Sequence, residues 1–387
     1  MSLSSSDKPR VLVLATAHSY RLEAFRAAAD RMGVEIVRGI DAPPAHISAG
    51  ADIVRLDFRD QARSVRQVMA LAARRPIQAV IPTDDTGVVL AAQIGAALGL
   101  RHNSPLAAEA ARNKHRMRTT LAAAGLPSPW FKLFSIGQAP AAAATEVEYP
   151  CVLKPTGLSG SRGVIRANDP AEFAAAFKRA AGIIAAAGAA EMLVEGYIPG
   201  RELALEGLLS AGTLQVLALF DKPDPLEGPY FEETIYVTPS RESAAMQAAI
   251  ADCVASAARA LGLSEGAVHA EVRVNDDGPW LIELAGRSIG GLCAQTLRFA
   301  HNADVTLEEL ILRRALRWDS TGMEREARAG GVMMIPIPAA GTLLGWEGLE
   351  AAQAMPGIES IEVTARANYP VVPLPEGESY LGFIFAR

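Results

Sequence analysis

Glu271 and Glu283 lie in two short alternating apolar segments, His269-Ala270-Glu271-Val272-Arg273-Val274 and Leu281-Ile282-Glu283-Leu284-Ala285-Gly286-Arg287. Period-two alternation predicts strands. Asn275-Asp276-Asp277-Gly278-Pro279 between them predicts a turn, so the pair reads as a β-hairpin. A hairpin brings the two carboxylates close on one face, where unpaired like charges repel. A divalent magnesium ion relieves that repulsion, because it takes oxygen ligands from carboxylates and phosphates. Arg287 follows on the same segment and suits an anionic substrate. The competing reading is a pair of solvated surface charges, and the rest of the chain must decide.

Cys151-Val152-Leu153-Lys154-Pro155 is an apolar strand ending in a lysine, followed by Thr156-Gly157-Leu158-Ser159-Gly160-Ser161-Arg162-Gly163-Val164. A loop this rich in glycine and hydroxyl residues can turn backbone N–H groups toward phosphate oxygens, and Lys154 adds a point charge. The P-loop signature is absent, since no Gly-Lys-Ser/Thr follows. Next comes Glu191-Met192-Leu193-Val194-Glu195-Gly196-Tyr197-Ile198-Pro199-Gly200-Arg201-Glu202-Leu203, a strand running into a Gly/Pro-broken connector and a second strand. Such a connector can offer a backbone donor and acceptor to a purine edge, and Glu202 can accept from ribose hydroxyls.

The elements that must carry these residues begin with Val11–Thr16, a continuous apolar run that predicts a buried strand. A helical segment at 21–32, a strand at 34–37 and a later strand at 79–82 continue a β-α-β alternation, hence a parallel sheet covered by helices. No Gly-rich dinucleotide fingerprint follows the first strand. His18, Asp84 and Asp85 fall at strand ends, where such sheets bind ligands; Asp85 is expected to cap the following helix. Asn113 to Gly125 predicts an amphipathic helix carrying Lys114, and 137–144 a linker. A compact α+β unit is expected over 150–195, strands over 201–290 with a helix at 243–261, a helix near 305–316, and strands with turns from about 330.

Composition narrows the classes. The chain has 387 residues, half of them hydrophobic, which is ample for several buried cores. Net charge is -6 with no basic stripe, which argues against nucleic acid. The N-terminus has no apolar secretion core, and no stretch reaches transmembrane length uninterrupted, so no membrane role is expected. Cys151, Cys253 and Cys293 are too few for a disulfide framework, and cytoplasmic localisation is the default.

The order of these motifs resembles the ATP-grasp superfamily: the Lys114 segment, Lys154 with its Ser/Gly loop, Glu-Gly-Tyr-Ile-Pro-Gly-Arg-Glu, and two later glutamates with a following arginine. The likeness spans roughly 110–315 and is nearest to carboxylate–amine ligases of the L-amino acid ligase type, whose tail resembles the biotin carboxylase-like group. It implies an α/β and α+β multidomain fold. A Rossmann-like, parallel-sheet pre-ATP-grasp domain is expected at 1–110, a small lid subdomain at 111–200, a large subdomain at 201–325, and a strand-rich C-terminal segment at 326–387 packed on the ATP-grasp domain.

The resemblance also implies roles by position. Lys114 and Lys154 look like the phosphate-binding lysines. Ser159, Gly160, Ser161 and Gly163 look like part of a mobile loop over the triphosphate. Glu195 and Ile198 look like the adenine hinge, mainly through their backbone, and Glu202 like the ribose ligand. Glu271 and Glu283 look like magnesium ligands, and Arg287 like the catalytic group that steadies the acyl phosphate. Phe231-Glu232-Glu233-Thr234 is similar to an acidic segment serving metal and amine. Glu233 is preferred over Glu232 because only one of two strand neighbours faces a site. Ser288, Gly290 and Gly291 sit before an expected helix and offer N–H groups to a substrate anion. One departure stands out: Ala285 occupies a position where many family members carry Asn, which puts a second metal ion in question.

The function so implied is ATP-dependent joining of a small-molecule carboxylate, an amino acid or other small acid, to an amine through an acyl phosphate. The cofactors are ATP and Mg2+, with Mn2+ as a substitute, and the products ADP and phosphate. Homodimers are common in the family. Carboxylation through carboxyphosphate, a non-catalytic nucleotide-binding module and a kinase are the alternatives.

Overall fold

The computed structural model describes residues 8–17, 19–42, 52–300 and 304–387; His18 lies outside them. The N-terminal unit contains β1 (Arg10–Thr16), α1 (Arg21–Met32), β2 (Glu35–Asp41), β3 (Ile53–Leu56), α2 (Gln61–Arg74), β4 (Ala79–Pro82), α3 (Val88–Ala97) and α4 (Pro105–Arg112). Its sheet is parallel throughout, in the order β3-β2-β1-β4. Both faces of β1 are covered: Val11 and Val13 pack with α1, Leu12 and Leu14 with the side of α2 and α3, and all four are fully buried. Burial on both faces is why β1 reads as an unbroken apolar run.

α5 (Lys114–Ala123) starts at Asn113, whose side chain accepts from the Arg116 N–H. It leads into β5 (Phe131–Ser135), α6 (Pro140–Ala143), β6 (Cys151–Pro155), β7 (Ile165–Ala167), α7 (Pro170–Ala186) and β8 (Glu191–Gly196). These strands form an antiparallel sheet ordered β5-β8-β6-β7, with Phe173 and Phe177 of α7 buried against it. The expected linker at 137–144 is instead largely helical: Pro140 supplies a preset φ at the first helical turn, and Ala143 and Ala144 bury themselves in this core.

The large sheet is built from β9 (Arg201–Ser210), β10 (Thr213–Asp221), β11 (Ile235–Thr238), β12 (Gly266–Asn275) and β13 (Gly278–Ala285), with α8 (Ala244–Leu261) on one face and α9 (Leu307–Leu316) on the other. α8 is capped by the Ser243 side chain and ends at Gly262, whose φ of 78° suits glycine. The C-terminal part adds β14 (Gly330–Ile335), β15 (Gly341–Thr342), α10 (Leu349–Gln353), β16 (Ile358–Val363), β17 (Pro370–Val371) and β18 (Gly382–Ala386). β14, β18 and β16 extend the large sheet, giving the order β13-β12-β9-β10-β11-β14-β18-β16. One apolar cluster runs from Val11 and Phe25 through Leu208 and Phe220 to Phe383, so the N-terminal sheet, the large sheet and the C-terminal strands share a core. Among the described residues, no helix is long and apolar enough to cross a membrane.

Candidate active site

The two sheets face each other across a cleft of about 480 Å³. Its walls come from β6, β8, β9, β12, β13, the N-terminal sheet and residues 378–380. The connector 197–200 links the sheets. Gly200 has φ 123°, and a Cβ there would sit 2.3 Å from the Val274 carbonyl oxygen, so only glycine lets the connector pass so close to β12.

Lys154 ends β6 with its ammonium 2.5 Å from Oε1 of Glu195. That carboxylate also accepts from Nε and Nη2 of Arg118, at 2.7 and 3.2 Å. Arg118 is 1% exposed and donates further to the Leu281 and Ile282 carbonyls, at 3.0 and 2.9 Å. One guanidinium on α5 thus ties the small sheet to the hairpin. Burial opposes ionisation of Glu195, but Arg118 and then Lys154 override it and hold the carboxyl at about 2. The Glu195 side chain is therefore committed to orienting Lys154. The Ile198 carbonyl is likewise taken, by Arg273 at 2.8 Å. Lys114, at the first turn of α5, donates to the Leu158 carbonyl at 2.8 Å and to Glu283 at 3.0 Å.

The β12–β13 hairpin is present, with Glu271 paired directly opposite Glu283 and a bulge just after Glu271. The carboxylates gather differently from expectation. Glu202, Glu233 and Glu271 each offer an oxygen within 4.8 Å of the others, whereas Glu283 leans to Lys114. Glu202 joins because β9 lies beside β12. Lys222, just past β10, sits among the three: 2.8 Å from Glu202, in contact with Glu233 and 3.7 Å from Glu271. Arg273 takes the other oxygen of Glu202 at 2.9 Å. Burial opposes the charge on Lys222, yet Glu202, Glu233 and Glu271 raise its pKa well above the ordinary value. Glu233 is opposed by burial but held at about 2, mainly by Lys222. Glu271 is pushed well up, first by burial and then, against the pull of Lys222, by Glu233 and Glu202. The cluster thus sets two cations among three carboxylates, and Glu271 is the one whose ionisation the site opposes. Glu233 does face the cleft and Glu232 does not line it, but residues 231–234 are irregular, so strand alternation is not the reason.

Arg287 lines the cleft with Nη2 2.7 Å from Asp85. Asp85 therefore does not cap the helix: burial opposes its ionisation, but the guanidinium holds it at about 2. Ser288 does not line the cleft, because Arg21 binds both its hydroxyl and, at 3.2 Å, its carbonyl. Gly290 and Gly291 do line it, but only a four-residue 3-10 turn (Cys293–Thr296) follows, not a helix. Ser159, Gly160 and Ser161 border the cleft. Gly163 is turned away; its N–H donates to the Pro375 carbonyl at 2.8 Å, and a Cβ would meet Pro155 at 2.7 Å. Cys293 is buried, which pushes its thiol up to about 12 and leaves it inert.

Three features that build the cleft escaped sequence reasoning. Lys222 had a signal: Phe220-Asp221-Lys222-Pro223 repeats the apolar-strand-then-Lys-Pro pattern of Leu153-Lys154-Pro155. Arg118 lies one helical turn after Lys114, on the same face. The pairing of Asp85 with Arg287 joins residues 202 positions apart and leaves no local mark.

The cleft lies between two antiparallel sheets, and residues 147–296, which supply much of its lining, match the ATP-grasp domain family. The chain thus carries an ATP-grasp domain, and residues 333–387 match L-amino acid ligase C-terminal domain 2. The L-amino acid ligase from Bacillus licheniformis superposes with a TM-score of 0.81 at 25% identity, covering 98% of this chain and 93% of that one. A carboxyaminoimidazole ribonucleotide synthase from Aspergillus clavatus, solved with ATP, shares the fold at TM-score 0.73 and 18% identity, with 98% and 93% coverage. Alanine–anticapsin ligase of Bacillus subtilis (strain 168) is 27% identical over 246 residues, 58% of this chain and 52% of that protein. Uncharacterized protein y4rH of Sinorhizobium fredii (strain NBRC 101917 / NGR234) is 26% identical over 294 residues, 73% of this chain and 58% of that protein. The chain thus spans little more than half the length of these curated relatives.

Proposed function

We propose that this protein is an ATP-dependent carboxylate–amine ligase that forms an acyl phosphate and releases ADP and phosphate. The observation that carries the reading is the convergence of Lys114, Lys154 and Arg287 on one cleft with a carboxylate cluster that Lys222 braces from behind. Lys114 and Lys154 bind the polyphosphate as point charges, with the Ser159–Ser161 loop over it. Ile198 lies at the adenine edge and Glu202 at the ribose. Glu271 and Glu233, with Glu283 moving off Lys114, suit a hard cation, since they offer carboxylate oxygens only. When bound, Mg2+ or Mn2+ supplies charge neutralisation at the phosphates.

The carboxylate of one substrate attacks the γ-phosphorus in line; the bond to the β-phosphate oxygen breaks and ADP leaves. The amine then attacks the acyl carbon, and inorganic phosphate leaves with the C–O pair. Arg287, oriented by Asp85, steadies the oxyanion of the tetrahedral species. Closure of the loop excludes water that would hydrolyse the acyl phosphate. A matrix of carboxylates against amines, read by ADP release, tests this. ADP formation that needs both partners is expected. AMP with pyrophosphate would overturn it, and ADP release driven by bicarbonate would shift the reading to carboxylation.

A further inference from the structure

A second cavity of about 270 Å³ lies behind the cleft, and the Gly286-Arg287-Ser288 segment is a wall of it. Arg287 borders both spaces. The far side comes from the end of α9 and the Arg317-Trp318 turn, and the near side from β4 and residues 101–103.

Its charge is one-sided. Arg101 and Glu265 are spent on each other at 2.7 Å. Arg314 donates Nη2 to Gln215 at 2.8 Å, but its buried Nε has no partner. The guanidinium of Arg317 makes no hydrogen bond or ion pair among the described residues, and its backbone holds φ 59° at the helix end. Beside these cations Ile311, Ala315 and Trp318 line the same wall, and Val80 and Ile81 of β4 line the other. A space with two under-used guanidinium groups and an apolar wall fits an anion with an apolar body. Its volume suits one amino-acid-sized molecule and not a nucleotide.

We propose that this cavity is a binding site for a small carboxylate bearing an apolar or aromatic group, held by Arg314 and Arg317 against Trp318. Binding there stands independently of the ligase reading; only its coupling to turnover, through the shared Arg287 segment, rests on that reading.

The test is calorimetric titration of the full chain with phenylacetate, with phenylacetamide as the uncharged control. Saturable binding of the acid and not of the amide is expected. Arg317→Gln, an exposed position, should weaken it at least tenfold, and Ala315→Phe, which fills the cavity, should abolish it. Lys154→Met, which alters only the cleft, should leave it intact. No saturable binding, binding unchanged in both cavity variants, or binding lost only in Lys154→Met would overturn the proposal. Circular dichroism checks that Ala315→Phe folds, and Arg317→Gln alone keeps the test decisive if it does not. A wild type that binds phenylacetate but releases no ADP with any carboxylate and amine would refute the ligase reading and leave the cavity site standing.

Discussion

Replacing Lys222 by Met removes the ammonium at the centre of three carboxylates and leaves Arg273, on Glu202, as the adjoining cation. Glu233 is held at about 2 against an ordinary 4.5, chiefly by Lys222 after burial is overcome. That difference is worth about 3 kcal/mol at neutral pH. In the wild type this contribution is present above the unfolded carboxyl value and is lost as pH falls toward 2. In Lys222→Met the sign reverses. The uncompensated carboxyls rise above their unfolded values, so the folded form takes up protons and the deficit shrinks as pH falls. Urea unfolding at pH 7 should therefore show a loss of at least about 3 kcal/mol, made of this lost contribution and the added cost of the raised carboxyls, and clearly less at pH 5, where only the second part shrinks. Millimolar Mn2+ without nucleotide should recover part of the loss at pH 7, because a divalent ion can take the place of the missing ammonium among the acids. A loss under about 1 kcal/mol that is the same at both pH values would refute the charge balance derived for this cluster.

Further outcomes follow from the same contacts. Arg118→Met leaves Glu195 buried beside Lys154 alone and takes a donor from the Leu281 and Ile282 carbonyls, and should cost about 3–5 kcal/mol in urea; Arg118→Met combined with Glu195→Leu should regain much of it. Lys154→Met, by contrast, keeps the Arg118–Glu195 pair, so it should lower nucleotide affinity at least tenfold by titration while shifting stability little. Asp85→Asn removes the partner of Arg287 and about 2 kcal/mol at neutral pH. In the wild type that term is present above the ordinary carboxyl value and fades as pH falls toward 2, so variant and wild type should converge in acid. Magnesium binding with nucleotide should release protons in weakly buffered solution, because the free site raises the Glu271 pKa and a bound cation lowers it; no proton release would place the metal away from Glu271.

What was legible in the sequence and what was not divides along a physical line. The fold could be read because each sheet stamps a local period on its strands. The unbroken apolar run of β1 signals burial on two faces, and the Asn275–Gly278 turn fixes the hairpin register that sets Glu271 opposite Glu283. Residues at strand ends, such as Lys154, could be read for the same reason. The partners could not. Whether a carboxylate beside Lys154 is a ligand or a brace depends on Arg118, which arrives from a helix in another part of the chain. Glu202 sits in the acid cluster, and Glu283 does not, because β9 lies beside β12 and Lys114 draws Glu283 away.

That division bears on how the cleft is assembled. Each cation aimed at it is held by a carboxylate from a different element: Lys114 on α5 by Glu283 on β13, Lys154 on β6 by Glu195 on β8, Arg287 after β13 by Asp85 after β4. Every pair crosses from one element to another: Lys154–Glu195 links neighbouring strands of the small sheet, Lys114–Glu283 ties α5 to the hairpin, and Arg287–Asp85 joins the hairpin segment to the N-terminal sheet. A polyphosphate that draws the ammonium of Lys114 toward itself must compete with Glu283, and the carboxylate so released is then free to accept a metal ion. On the ligase proposal nucleotide and metal binding would be coupled through the Lys114–Glu283 pair: Glu283→Gln should tighten nucleotide binding measured without metal, and should abolish the further gain that magnesium gives the wild type. Equal metal enhancement in both proteins would show that Glu283 stays with Lys114 and that the coupling does not exist.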